Sequence, residues 1–125
     1  MHIYDKSLEL VASVCKLSRR VQEQDGDLAR QMRRAVTSVP LNMQEGLYSR
    51  AGNRVARFHD SMASAKETMA CLHVSAAAGY LPPDAITDDL DRIDHIVATL
   101  WRLAGRARRA LTPNAGCEAS TSQPA

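Results

Sequence analysis

Apolar side chains recur along this chain at steps of three and four in four separate runs, and each run predicts a helix with one face turned toward a core. Leu8, Val11, Val14 or Cys15, Leu17 or Ser18, and Val21 mark a first helix over about residues 5–21. Gln22 to Asp27 read as a short turn, with Gly26 at the bend and Asp27 as the N-cap of the second helix. Leu28, Met32, Ala35, Val36, Val39, Met43 and Leu47 form the second stripe, which carries Pro40 in its middle. Val55, Phe58, Met62, Ala65, Met69, Leu72 and Ala76 form the third and cleanest, ending at Gly79 in the left-handed cap position with Tyr80 and Leu81 folded back. The fourth runs through Ile86, Leu90, Ile93, Val97, Leu100, Ala104, Ala107 and Leu111, and Ile96, Trp101 and Leu103 widen it. No stretch alternates apolar and polar residues cleanly, so strands are not expected. Short connections favour antiparallel neighbours, and the fold class is an all-α, up-down-up-down four-helix bundle.

The second run needs separate treatment because it is interrupted. A proline inside a helix lacks the amide donor and crowds the carbonyl four residues before it, which costs about 3 kcal/mol and bends the helix. Pro40 therefore predicts a kink. Thr37 and Ser38 can turn their hydroxyls onto carbonyls freed there, Asn42 and Glu45 have the spacing of a capping pair for a restarted turn, and Gly46 offers a place to leave the helix. Ser38, Asn42 and Glu45 fall on one face beside the proline. They read either as ties between the kinked helix and its neighbours or another protomer, or as a polar groove at a subunit boundary.

These residues also carry a resemblance. Arg33-Arg34-Ala35, Ser38-Val39-Pro40-x-Asn42 and Glu45-Gly46 resemble the signature of the bacterial four-helix bundle proteins encoded in intervening sequences of 23S rRNA genes. The accessory variability determinant proteins of diversity-generating retroelements are similar to them. The likeness extends over about residues 4–104, with Phe58, Ala65, Glu67, Gly79-Tyr80-Leu81 and Leu103 in keeping. It implies a bundle that assembles into a closed ring, a homopentamer in the similar proteins, and a ribosomal-protein-like or ribonucleoprotein adaptor role. The retroelement relatives further imply binding of nucleic acid and of a reverse transcriptase.

Composition narrows the rest. A chain of 125 residues, 45% hydrophobic but only 4% aromatic, is one domain with an aliphatic core and needs no disulfide to hold it. Residues 1–111 are assigned to the bundle, and the Ser, Thr, Pro and Gly-rich 112–125 to a disordered tail. Cys15, Cys71 and Cys117 are odd in number and far apart, which indicates free thiols and a reducing compartment. Asp5 and Glu9 sit in the apolar start of the chain, and Ala12-Ser13-Val14 before Cys15 is a poor processing site. No run approaches the ~20 apolar residues of a membrane span, so the expectation is a cytoplasmic protein without membrane contact.

Charge points to the candidate site. Arginines outnumber lysines 13 to 3, and the guanidinium fork suits phosphate or carboxylate. Arg30, Arg33 and Arg34 share a face of the second helix, and Arg50, Arg54 and Arg57 begin the third. Brought together by the intervening turn, they would track an RNA or DNA backbone in a sequence-tolerant, salt-sensitive way. The same residues also read as solvated faces, with Arg33 or Arg34 paired to Glu45, Glu67 or a neighbouring subunit. Aromatic platforms for base stacking are not expected: Phe58 reads as core, and Tyr48 is the only aromatic near the set. Asp84 to Asp94 carries five Asp against Arg92; of these Asp84, Asp88 and Asp89 lie near the positive end of the fourth helix, and Arg102, Arg106, Arg108 and Arg109 complement its negative end.

Catalytic chemistry finds no footing in this pattern. Glu-x-x-His repeats of a di-iron bundle are absent, and His59, His73 and His95 lie on separate turns, so neither metal nor cofactor is expected. Cys71 and His73 are two apart and point to different sides of a helix. No Gly-rich phosphate loop or G-x-S-x-G is present. The chain reads as a non-enzymatic, homo-oligomeric bundle that binds RNA or DNA backbone; the competing reading is a structural oligomer that contacts only protein.

Overall fold

The chain folds, in a computed structural model that describes residues 2–111, as α1 (His2–Gln22), α2 (Gly26–Tyr48), α3 (Ala51–Ala77) and α4 (Thr87–Leu111), with a 3-10 turn at Pro83–Ala85 ahead of α4. The disordered tail expected for 112–125, and Cys117 with it, fall outside the described residues. Neighbouring helices run antiparallel. Between α2 and α3, Met32 meets Ser75, Val39 meets Ser61 and Glu45 meets Arg57. Between α1 and α4, Glu9 faces Arg92 and Ser13 faces Asp89, and between α3 and α4 Gly52 lies against Leu111 and His59 against Arg108. In each pair one number rises as the other falls, as an up-down-up-down bundle requires.

The core sits between the four helices, where Leu10, Val14, Val21, Met32, Val36, Met43, Phe58, Leu72, Ile93, Ile96 and Leu100 are all but fully buried. Removing each such large side chain from water stabilises the fold by about 1.5–3 kcal/mol. The apolar stripes predicted for α2, α3 and α4, with Ile96 beside the last, supply those of these residues that lie on the three helices. In α1 the inward face runs through Ile3, Leu10, Val14, Leu17 and Val21, whereas Leu8, expected inside, is exposed. The helix begins earlier than its apolar spacing suggests, and Ile3 rather than Leu8 sets the phase of the stripe.

Local chemistry fixes the ends of the helices. Asp25, not Asp27, is the N-cap of α2: its Oδ1 accepts the Leu28 amide at 3.0 Å. Asp27 lies within the first turn and pairs with Arg30. Gly79 takes φ +82°, as the left-handed cap position demands, and the amides of Tyr80 and Leu81 both donate to the Ser75 carbonyl. Leu81 is thereby folded into the core, and the Tyr80 hydroxyl reaches Asp25 Oδ2 at 3.5 Å, joining the two connections at that end.

α2 continues through Pro40 instead of restarting after it. Thr37 Oγ1 donates to the Arg33 carbonyl, Ser38 Oγ to that of Arg34, and Asn42 Nδ2 to that of Ser38. Ser61, buried on α3, donates its hydroxyl to the Val39 carbonyl at 2.8 Å. Asn42 and Glu45 do not form a capping pair, because no helix end exists there to cap. Gly46 is likewise not the exit from the helix, which runs to Tyr48 with Ser49 as its C-cap. It is a buried contact point: a Cβ added to Gly46 would stand 2.7 Å from Cδ1 and Cε1 of the Phe58 ring.

Gly46→Ala is expected to destabilise the bundle by about 1–3 kcal/mol, the overpacking penalty exceeding the helix propensity gained. Urea unfolding of Gly46→Ala in the wild-type and Phe58→Leu backgrounds checks this. The cost should shrink when the ring is gone, and an equal cost in both backgrounds would show that the contact is not the cause.

Candidate nucleic-acid interface

The six arginines singled out in the sequence do not form one surface. Arg30 is exposed and its Nη2 lies 2.7 Å from Asp27 Oδ1. Arg33 turns toward α1, where Nη1 donates to Gln22 Oε1 at 3.2 Å and to Ser18 Oγ at 3.5 Å. Arg34 is exposed at a groove of about 440 Å³ between α2 and α3, which Asp27, Arg30, Ser38, Ser64 and Glu67 also line. Two carboxylates in that groove offset its two cations. Eleven residues separate Arg34 from Glu45, a distance of about 16 Å along a helix, so this group stands well away from the α2–α3 turn. The expected convergence fails because antiparallel pairing sets Arg34 beside the middle of α3, not beside its start.

Arg50, Arg54 and Arg57 occupy the other end of the bundle. Arg50 is exposed at the N-cap position of α3. Arg54 lays its guanidinium over the Phe58 ring, with Cζ 5.8 Å from the centroid, and its buried Nε has no hydrogen-bond partner among the described residues. Arg57 bridges Glu45 and Asp60, with N···O distances of 3.0 and 3.3 Å; its contact to Glu45 is an ion pair without hydrogen-bond alignment. Glu45 therefore pairs with Arg57 and not with Arg33 or Arg34. With the Ser38 and Asn42 bonds along α2, all three polar signature residues are engaged within the α2–α3 hairpin.

The antiparallel arrangement brings a further set to this end, one that sequence reasoning assigned only to the helix dipole. Arg102, Arg106, Arg108 and Arg109 lie on the last turns of α4, beside the start of α3. Arg108 Nη2 is 3.1 Å from His59 Nε2, and the His59 ring meets Trp101 edge to face, with centroids 6.2 Å apart. Trp101 is 62% exposed, so an aromatic side chain stands open beside the arginines of α4. The readable signal was helix direction, since alternating helices must place the end of the fourth beside the start of the third. Over 38–64 and 98–111 seven arginines face only Glu45 and Asp60 as acids, whereas 84–94 holds five Asp against Arg92. The bundle is thus basic at one end, while its acids crowd the start of α4.

One of those aspartates is structural. Asp89 is 1% exposed, accepts the Ser13 hydroxyl at 2.6 Å and Arg92 Nη1 at 2.8 Å, and so ties α4 to α1. Cys71 is buried and His73 exposed, which separates the one nucleophile pair considered. Burial, and after it the Glu67 carboxylate, push the Cys71 thiol above its ordinary value. Among the described residues no three His, Cys, Asp or Glu converge to hold a metal ion, and no helix is long and apolar enough to cross a membrane.

The family model described as 23S rRNA-intervening sequence protein matches residues 1–102. No curated protein and no solved structure matches the chain.

Two predictions follow from this geometry. Arg33→Ala should lower unfolding stability by about 0.5–1.5 kcal/mol, the size of a hydrogen bond between helices, while Arg30→Ala, losing only an exposed pair, should change it by less than about 0.5 kcal/mol. Chemical denaturation of the two variants separates them, and equal effects would show that Arg33 does not tie α1 to α2. Cys71 should resist a thiol reagent at neutral pH until the chain unfolds. Because the folded thiol ionises at a higher pH than the unfolded one, stability should hold below the ordinary thiol range and fall as pH rises through it. Rapid native labelling, measured by mass spectrometry, would contradict this burial.

Proposed function

The chain belongs to the 23S rRNA-intervening sequence protein family, and from that premise we propose that it is a non-catalytic, cytoplasmic, homo-oligomeric bundle that binds RNA or DNA backbone through its basic end. The observation that carries the reading is the collection of Arg50, Arg102, Arg106, Arg108 and Arg109 at one end of the bundle, with no acid on the closing turns of α4. Guanidinium groups spaced by helical turns meet phosphates spaced along a strand, and each neutralised phosphate releases counterions. Arg30, Arg33, Arg34, Arg54 and Arg57 contribute less, because most of them already have partners within the fold.

Self-association is part of the proposal. Leu41 and Tyr48 are exposed and seven residues apart, so they share one outer stripe of α2 that a second copy can cover. A closed ring, pentameric by the resemblance described above, would repeat the basic end around its axis and hold several phosphates at once. In the adaptor role, a protein partner such as a reverse transcriptase would sit on the same assembly.

The experiment is nucleic-acid binding at 50 and 200 mM salt, with the intact protein and an Arg50→Ala/Arg106→Ala/Arg109→Ala variant whose assembly size is checked by light scattering. Wild-type affinity should fall steeply with salt, and the variant should bind more weakly with a logarithmic salt slope smaller by about 2–3. Absence of binding by the intact protein would leave the purely structural oligomer.

A further inference from the structure

Trp101 stands where three surface features meet. Toward the end of α4 it borders two grooves of about 300 and 220 Å³, lined between them by Arg102, Gly105, Arg106, Arg108 and Arg109, and neither has a carboxylate in its wall. Toward the middle of the bundle it borders a groove of about 470 Å³ between α3 and α4, whose floor includes Met62, Met69 and Val97, with Lys66 and Asp94 among its polar residues. The indole is left 62% exposed between these basic and apolar grooves. Here the edge-to-face contact with His59 fixes one part of the ring system. Gly105, one turn beyond Trp101, leaves the helix backbone bare on the floor of the basic grooves, and a Cβ there would touch only Arg109 Nη1, at 3.5 Å. Packing within the bundle therefore does not require glycine at this mid-helix position, where it costs about 1 kcal/mol relative to alanine.

We propose that Trp101 is a stacking platform for an unpaired base, and that the arginines of α4 hold the phosphates on either side of it, so that the bundle recognises single-stranded nucleic acid. This deepens the proposed function and rests on it. A flat, exposed apolar ring, bounded by guanidinium groups one and two turns away, matches the alternation of base and phosphate in a strand whose bases are free. A duplex presents the phosphates but keeps its bases stacked on one another, and so reaches the arginines only. The Met-lined groove gives the base an apolar, polarisable wall beside the indole.

The test uses the full chain, and its single tryptophan makes the indole emission its own reporter. A uridine decamer, the corresponding DNA strand, an RNA duplex and an abasic strand with the same number of phosphates are titrated against the protein by fluorescence and by a separate affinity measurement. Strands with free bases should quench Trp101 and bind about ten-fold or more tightly than the abasic strand, and Trp101→Ala should remove that advantage while Trp101→Phe keeps most of it. The RNA and DNA decamers show whether the sugar is also read. Equal binding of base-containing and abasic strands without quenching would overturn the stacking proposal while leaving the backbone-binding function intact. Dissociation of the oligomer by Trp101→Ala would also overturn it, by showing that a second copy covers the indole. No binding of any strand by the intact protein would remove both readings.

Discussion

The bundle depends on a place where no side chain fits. At Gly46 the backbone of α2 lies against the Phe58 ring so closely that a methyl group would overlap it. That approach fixes how α2 and α3 pass one another, and the other contacts of the hairpin follow at helical spacing: Glu45 with Arg57, Val39 with Ser61, Met32 with Ser75. Because protein interiors are densely packed, a shift of one turn would leave the ring facing side chains it cannot accommodate. The position of α3 in turn decides where its first residues meet the last residues of α4. The basic end of the molecule is therefore a consequence of the packing beneath it, where Arg54 covers the same Phe58 ring.

The α1–α4 seam is secured differently. Instead of a large ring in a small space, it has a carboxylate almost wholly removed from water, satisfied by Ser13 and Arg92, with Glu9 3.9 Å from the same guanidinium. A buried charge is tolerated only when its partners are in place, so such a strap penalises mispairing more than it adds net stability. It restricts the way the last helix can close the bundle. The link between Tyr80 and Asp25 performs a similar office at the two connections, tying one helix start to the turn after another helix.

The sequence made the helices and most of the core legible, because a period of 3.6 residues reports which face is apolar without reference to anything else. Gly79 was legible for the same local reason, since the end of a helix asks for a residue that accepts positive φ. The candidate site was legible only in part. Periodicity places Arg33 and Arg34 next to one another on the surface of α2, but only the neighbouring helix decides that Arg33 turns to Gln22 and Ser18 while Arg34 faces a groove. Asp25 and Asp27 are both credible caps by residue type, and the choice lies in where the backbone leaves extended geometry. Gly46 looked like punctuation because glycine ends helices more often than it lets two of them touch. Trp101 was counted as apolar bulk, since its one-dimensional spacing cannot show that the fold keeps it outside.

Arginine at one end and aspartate crowded at the start of α4 give the bundle a permanent electrical axis. In the field of any polyanion a particle of this kind would experience a torque before contact, turning so that its guanidinium groups lead. Orientation would then be selected during diffusion instead of by repeated collision. The start of α4 stays at the trailing end in that orientation, away from the guanidinium groups of α4's last turns.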